Sequence, residues 1–322
     1  MKNPTRLLLA LATSVITTLP TWAAEAYPAK PVTLVSAFAA GSGPDAVLRL
    51  VSDKLGKAWN QRVLVDNRPG GGGFIAIEAV KRAPADGYTL LQLDSEHLAA
   101  LPHLYKARGF DTLKTFEPVA VLFRTPFMVA VAADSKWKTM ADLVAAARSS
   151  KKPLQLGNYS AGYQLVAAWL GSSTGLAVDH IPYKGGAQML TDVVGGQLEV
   201  GVIDFTGTTE LMKGGRLRVL AITAAQRDPK YPDIPTMKES GYPEFETGVW
   251  SAFFMRAETP DDIVDKLAAA LHKAMTSEAG RAYQASLPST GLLMGPKELG
   301  EFQLREFQRF KKVAEAAGIK PE

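Results

Sequence analysis

The 322-residue chain contains no cysteine. That absence excludes a disulfide framework, a thiolate nucleophile and any Cys-based metal site. Histidine is scarce too. The four, His97, His103, His180 and His272, show no H-E-x-x-H or other metal-ligand spacing. Charge of one sign is never concentrated. Lys and Arg number 36 against 32 Asp and Glu, a formal +4, and they are scattered. A nucleic-acid binder gathers its basic residues into a patch or stripe, so no nucleic-acid partner is expected. Beyond residue 26 no apolar run approaches the roughly 20 residues that span a bilayer. Tandem repeats and low-complexity tracts are also missing.

What is present begins with an export signal. Lys2 and Arg6 make a positive start, an apolar run covers residues 7–19, and small residues follow. The run is broken by Thr17, Thr18 and Pro20 and is too short to anchor in a membrane. Ala24-Glu25-Ala26 fits a small-x-small cleavage site, which predicts a mature start at Tyr27, with cuts after Ala23 or Ala24 as alternatives. With no cysteine to carry a lipid, the mature protein is expected to be soluble and untethered in the periplasm. Its remaining length approaches the size at which one core divides into two.

The mature chain alternates β-rich runs with helical patterns, the signature of α/β layers around a mostly parallel sheet. Strands are predicted at 31–38, 62–66 and 88–93, with helices at 45–59 and from the glycines at 70–73 to Arg82. Residues 127–131 read as a crossing strand into a second α/β set. That set has helices at 140–148 and 163–172 and strands at 154–156, 180–183, 199–203 and 217–222. After a Pro-rich stretch at 229–243, residues 249–254 read as a return crossing. Thr259-Pro260-Asp261-Asp262 reads as a helix start, with a hydroxyl cap, proline at the first helical position and acids against the dipole. The last predicted helix covers 296–317.

Two strand–loop–helix junctions carry the chemistry: Phe38-Ala39-Ala40-Gly41-Ser42-Gly43-Pro44-Asp45 and Gly157-Asn158-Tyr159-Ser160-Ala161-Gly162-Tyr163-Gln164. Each puts small residues before a helix, where free N–H groups and the dipole favour an anion. Read singly, each is also an ordinary tight turn with its cap. One per lobe, facing a shared cleft, makes a ligand site. Asp45 reads first as an acid that satisfies its helix start and fixes the loop, with an indirect effect on binding. Asp94-Ser95-Glu96-His97 and Asp204 follow strands, where open α/β sheets bind ligands. They read either as solvated loops or as cleft residues. As cleft residues, these acids would repel a second carboxylate and favour an ammonium, a hydroxyl or a protonated group. Tyr159, Tyr163, Phe205 and Trp250 are candidate cleft walls that equally suit a core.

Catalytic and cofactor signatures fail on spacing. Gly71-Gly72-Gly73-Phe74-Ile75-Ala76 matches G-x-G-x-x-A, but Asp66-Asn67-Arg68-Pro69 separates it from its strand, and no ribose-binding acid follows at the required distance. No cofactor is expected. Gly157 to Gly162 reads G-x-x-S-x-G, one residue too long for a nucleophile elbow. A secreted hydrolase would need an activated nucleophile or a metal, and neither can be assembled, so the chain is expected not to be an enzyme.

At these junctions the sequence resembles the Bug family, the extracytoplasmic receptors of tripartite tricarboxylate transporters. The matching stretches are Tyr27-Pro28-Ala29-Lys30-Pro31, Phe38 through Asp45, Asn67-Arg68-Pro69-Gly70-Gly71-Gly72-Gly73, Asp86-Gly87-Tyr88-Thr89-Leu90-Leu91, Pro182-Tyr183-Lys184-Gly185, Gly195-Gly196-Gln197 and Leu217-Arg218-Val219-Leu220-Ala221. Their order and spacing run along essentially the whole mature chain. The resemblance implies an α/β, two-lobed periplasmic-binding-protein fold (type II-like) with the ligand cleft between the lobes. Residues 27–125 plus 247–322 would form lobe 1 and 126–246 lobe 2.

The resemblance also implies a small-molecule carboxylate held by backbone amides. Ala40, Gly41 and Ser42 would be the first-lobe anchor, and Ser160, Ala161 and Gly162 the second, flanked by Asp45, Tyr163 and Gln164. Asp94, Ser95, His97 and Asp204 would select the ligand's distal end. The protein would work as a monomer and deliver its ligand to membrane transporter subunits; a membrane sensor is the alternative partner. The chain departs from the family pattern in places. Phe38-Ala39-Ala40-Gly41-Ser42 stands where many relatives have F-x-P-G-G, Gln164 stands where histidine is common, and Asp94 and Glu96 replace small residues.

Overall fold

The computed structural model describes residues 27–106, 111–205, 208–286 and 293–321. The leader and its cleavage site lie outside the described residues. Ten strands form two five-stranded sheets. In the first, β1 (Val32–Ser36) lies between parallel neighbours β2 (Val63–Asn67) and β3 (Thr89–Asp94), so that Leu34 faces Val65 on one side and Leu90 on the other. In the second, β6 (Leu154–Asn158) lies between parallel β7 (Val178–Pro182) and β8 (Val200–Ile203). Central strands of such sheets are covered on both faces and read as continuous apolar runs rather than as alternation. Every residue of β5 (Met128–Ala132) and β8 is accordingly buried.

Each sheet is completed by antiparallel strands, and these join the two halves. β4 (Phe116–Pro126) ends in the first sheet and β5 begins in the second, with Phe127 alone between them. The chain returns from β9 (Leu217–Ile222) to β10 (Gly248–Arg256), which inserts between β3 and β4. The fully buried Thr223 fastens the two crossings together. Its hydroxyl donates to the Thr247 carbonyl at 2.6 Å and accepts from the Phe127 N–H at 2.8 Å. Its backbone N–H donates to Phe127 O, and its carbonyl accepts from Thr247 N. Gly248 lets β10 approach β4 closely here; a Cβ would collide with the Thr125 carbonyl.

Helices cover both faces of each sheet: α1 (Gly43–Trp59), α2 (Phe74–Lys81), the short α3 (Leu101–Leu104), α4 (Met140–Ser149), α5 (Ala161–Thr174), α6 (Gly186–Val194), α7 (Thr209–Lys213), α8 (Asp261–Met275), α9 (Glu278–Ser286) and α10 (Pro296–Ala316). A single 3₁₀ turn spans Gly71–Gly73, and a π turn spans Glu96–Ala100. Ala99, Ala100, Leu104, Phe310, Val313 and Ala314 share one core with Val129, Leu156, Leu165 and Trp169 of the second sheet's layers. The π turn and the last turns of α10 therefore lean across to the second half.

Three sequence expectations change. α8 begins at Asp261 with Pro260 in extended conformation (ψ 135°) at the cap, so Thr259 does not cap it. β4 has no counterpart among the predicted strands; Glu117, Pro118 and Arg124 interrupt its apolar pattern, and it forms an edge, where proline is tolerated. α6 was likewise unpredicted, being hidden between Gly185-Gly186 and Gly195-Gly196.

Candidate ligand-binding cleft

The first junction loop is fixed from behind. Asp45 is 2% exposed and accepts from the Gly41 N–H at 2.8 Å, Asn67 Nδ2 at 3.0 Å and Arg49 Nε at 2.8 Å. Burial works against its charge, but the donors Arg49, Gly41 and Asn67 outweigh that and hold the carboxyl below its ordinary value. Gly41 sits at φ +82°, a left-handed turn suited to glycine. The Ser42 hydroxyl donates to Ala39 O rather than capping α1.

At the end of β3, Asp94 organises the turn that follows. Its Oδ1 accepts from the Glu96 and His97 N–H groups at 3.0 and 3.2 Å and from His97 Nδ1 at 2.6 Å. Burial disfavours a charged imidazole, but the adjoining Asp94 carboxylate wins, and the His97 pKa is raised. The ring lies edge-on to Phe38 and fills the space above Gly73, where a Cβ would collide with it. The glycine run thus seats a histidine.

The second loop presents the start of α5, which Ser160 caps: its Oγ accepts from Tyr163 N at 3.4 Å. The same hydroxyl donates to Glu96 Oε2 at 2.6 Å, and Gly162 leaves room for the Glu96 side chain, which a Cβ there would meet at 3.0 Å. Tyr163 packs edge-on to Phe127 and beside Tyr159, and its hydroxyl donates to Asp204 Oδ2 at 2.5 Å. Burial, then Asp204 and Tyr159, push the Tyr163 pKa far up, so it remains a donor.

Between these elements lies a cleft of about 790 Å³, within the size range of small-molecule sites. Of the residues expected there, Ser42, Asp94, Ser95, Ser160, Gly162, Tyr163 and Asp204 line it, and so does Tyr159. Ala40, Gly41, Asp45, His97, Ala161 and Gln164 do not line it. Gly41 and Ala40 face outward, while Asp45 and His97 are buried behind the walls they brace. Phe205 stacks on Tyr231 within a core, and Trp250 is fully buried against Phe302, so neither is a wall.

Sequence reasoning missed the apolar floor from Val166, Leu190, Val249 and Phe310: Leu190 lies on the unpredicted α6, Phe310 on a helix assigned to one half, and nothing local marks which face of α5 or β10 meets the cleft. The acidic residues on the walls are Asp94, Glu96, Asp204 and Glu210, against one basic residue, Arg216. Among the described residues no cluster of three or more His, Asp or Glu side chains is disposed to hold a metal ion.

Residues 47–319 match the family described as "Tripartite tricarboxylate transporter family receptor". The chain belongs to this receptor family. The receptor is 30% identical to protein BugT of Bordetella pertussis over 300 residues, 92% of either chain. Among solved structures it is similar to R. palustris Rpa4515 with adipate (TM-score 0.79, 30% identity, 92% of this chain and 100% of the other). It is also similar to the periplasmic binding protein BugD (TM-score 0.75, 28% identity, 92% and 100%). The receptor thus has the two-lobed architecture of periplasmic binding proteins, and its family and neighbours are binding proteins rather than enzymes. Among its described residues no helix is long and apolar enough to cross a membrane.

Proposed function

We propose that this receptor is exported by cleavage near Ala26, captures a small organic carboxylate by closing its lobes, and passes it to membrane subunits of a transporter without chemical change. The observation that carries this reading is the cleft itself. It lies between two sheets joined by crossings that share one staple at Thr223, and the starts of α1 and α5 both open on it. Closure about such a pair of strands is the usual motion of binding proteins. The lobes would be 27–125 with 247–322, and 126–246, with the end of α10 touching both. The adipate of the R. palustris relative supports a carboxylate ligand, whose carboxylate we place at the α1 end, near Ser42 and Gly43. Micromolar capture requires about 8 kcal/mol. A few charge-assisted hydrogen bonds at roughly 1.5–3 kcal/mol each, with apolar burial against Val166, Leu190 and Phe127, supply that order.

Native mass spectrometry of the purified protein, followed by a thermal-shift screen of carboxylates and amino carboxylates, tests the reading. A co-purified acid, or a raised melting temperature with a small set of acids and no turnover of them, is expected. A broad screen without any shift would overturn it.

A further inference from the structure

Glu96 stands where a ligand carboxylate would need to be. Its side chain leaves the turn after β3 in the first half, crosses the base of the cleft and meets the first turn of α5 in the second. There Oε2 takes the Ser160 hydroxyl at 2.6 Å, and the side chain lies close against Gly162. These are two of the residues whose sequence had suggested an anchor for a ligand. The fit is close: a Cβ at Gly162 would lie 3.0 Å from Glu96 Cγ and 3.1 Å from Oε2. The chain itself therefore supplies the anion that the α5 start favours.

The surroundings leave this carboxylate short of positive charge. The charged groups acting on it are Asp94, which repels it, and His97, whose ring is already engaged by Asp94 at 2.6 Å. Burial and Asp94 push the Glu96 carboxyl up, against the pull of Ser160, His97 and Gly162. Asp204 also lines this cleft. A second carboxylate brought to this end of the cleft would meet like charge in a partly desolvated place, whereas an ammonium would meet its complement.

We propose that Glu96 determines the specificity of this receptor: by filling the α5 anchor it excludes the second carboxylate of a diacid and selects an amino carboxylate, whose ammonium lies against Glu96 and whose carboxylate lies at the α1 end. The proposal rests on the receptor reading above.

A matched series of straight-chain probes from four to eight carbons tests it: diacids, ω-amino acids and monoacids, titrated calorimetrically into the wild type, E96Q and E96G. The wild type is expected to bind the best ω-amino acid at least about tenfold more tightly than the best diacid, or roughly 1.4 kcal/mol. E96Q should reduce that preference, and E96G, which frees the Ser160 hydroxyl and empties the space against Gly162, should reverse it. A wild type that prefers a diacid overturns the proposal and leaves the receptor reading standing; this comparison needs no variant to fold. Variants that melt like the wild type yet keep its preference within a factor of about two also overturn it. Absence of binding by every probe to all three proteins would sink this proposal and count against the receptor reading as well.

Discussion

Replacing Thr223 by valine tests whether the paired crossings are held by one side chain. Valine keeps the volume and the β-branch, so no cavity opens, but the hydroxyl is lost. Two buried backbone groups then lose a partner: the Phe127 N–H, which donates to Oγ1 at 2.8 Å, and the Thr247 carbonyl, which accepts from it at 2.6 Å. Phe127 is 3% and Thr247 0% exposed, so water does not replace the bonds. An unsatisfied buried group costs about 1–3 kcal/mol, which puts the loss at roughly 2–6 kcal/mol for the pair. T223S keeps the hydroxyl and deletes one methyl, worth about 0.8 kcal/mol. Urea unfolding of wild type, T223V and T223S reads the difference from the midpoint shifts. If T223V cost no more than T223S, the staple would not hold the crossings, and the strands' own ladders would suffice.

Gly73 lies at φ +81° with His97 in the place of its missing side chain. G73A should therefore cost about 2–4 kcal/mol, combining left-handed strain with overpacking, and pairing it with H97A should recover part of the loss in a double-mutant cycle. The His97 pKa is raised above its ordinary 6.5, so the Asp94–His97 pair contributes stability fully below that value. The contribution fades as pH rises through the folded-state value; H97Q should flatten that alkaline decline in melting temperature. Asp45 has the opposite sign: its carboxyl is held below 3.8, so its contribution is lost only as pH falls through its lowered value, and D45N should remove that acid limb. W250A should cost about 3–5 kcal/mol without altering ligand preference. Y163F, which deletes the donor to the Asp204 carboxylate, should weaken ligand binding with a stability loss of about 1.5–3 kcal/mol.

The α/β alternation, the two crossings and both helix-start loops were legible in the sequence because each is written in local signals: apolar runs, small residues and glycines at turns. β4 was not, since an edge strand needs no uninterrupted apolar pattern. α6 was not, because glycine pairs at both ends mimic a loop. Local sequence does not separate residues that touch the cleft from residues that brace it. Gly41 and Asp45 lie four positions apart and bond to each other, but which side of the loop that bond closes depends on Arg49 and Asn67 packing behind it. His97 stands beside cleft residues in sequence, yet the π turn at Glu96–Ala100 sends its ring inward to Gly73 and leaves Glu96 facing the cleft.

That reversal separates two loops that look equivalent as sequence. Asp45 serves its loop locally, from the solid side, and leaves the cleft face of the α1 start to an incoming anion. The carboxylate that serves the α5 start comes from 64 positions away and from the cleft side. No local pattern announces such a contact: an acid replacing a small residue after a strand suggests repulsion of a carboxylate, but not that the acid fills the carboxylate's place. The physical distinction is that a repelling wall charge is partly screened by solvent, whereas a carboxylate already bonded to the Ser160 hydroxyl must be displaced before another can bind there. Salt therefore discriminates between the two. Raising ionic strength should relieve rejection of diacids if Glu96 acts at a distance, and should leave it largely intact if Glu96 occupies the anchor.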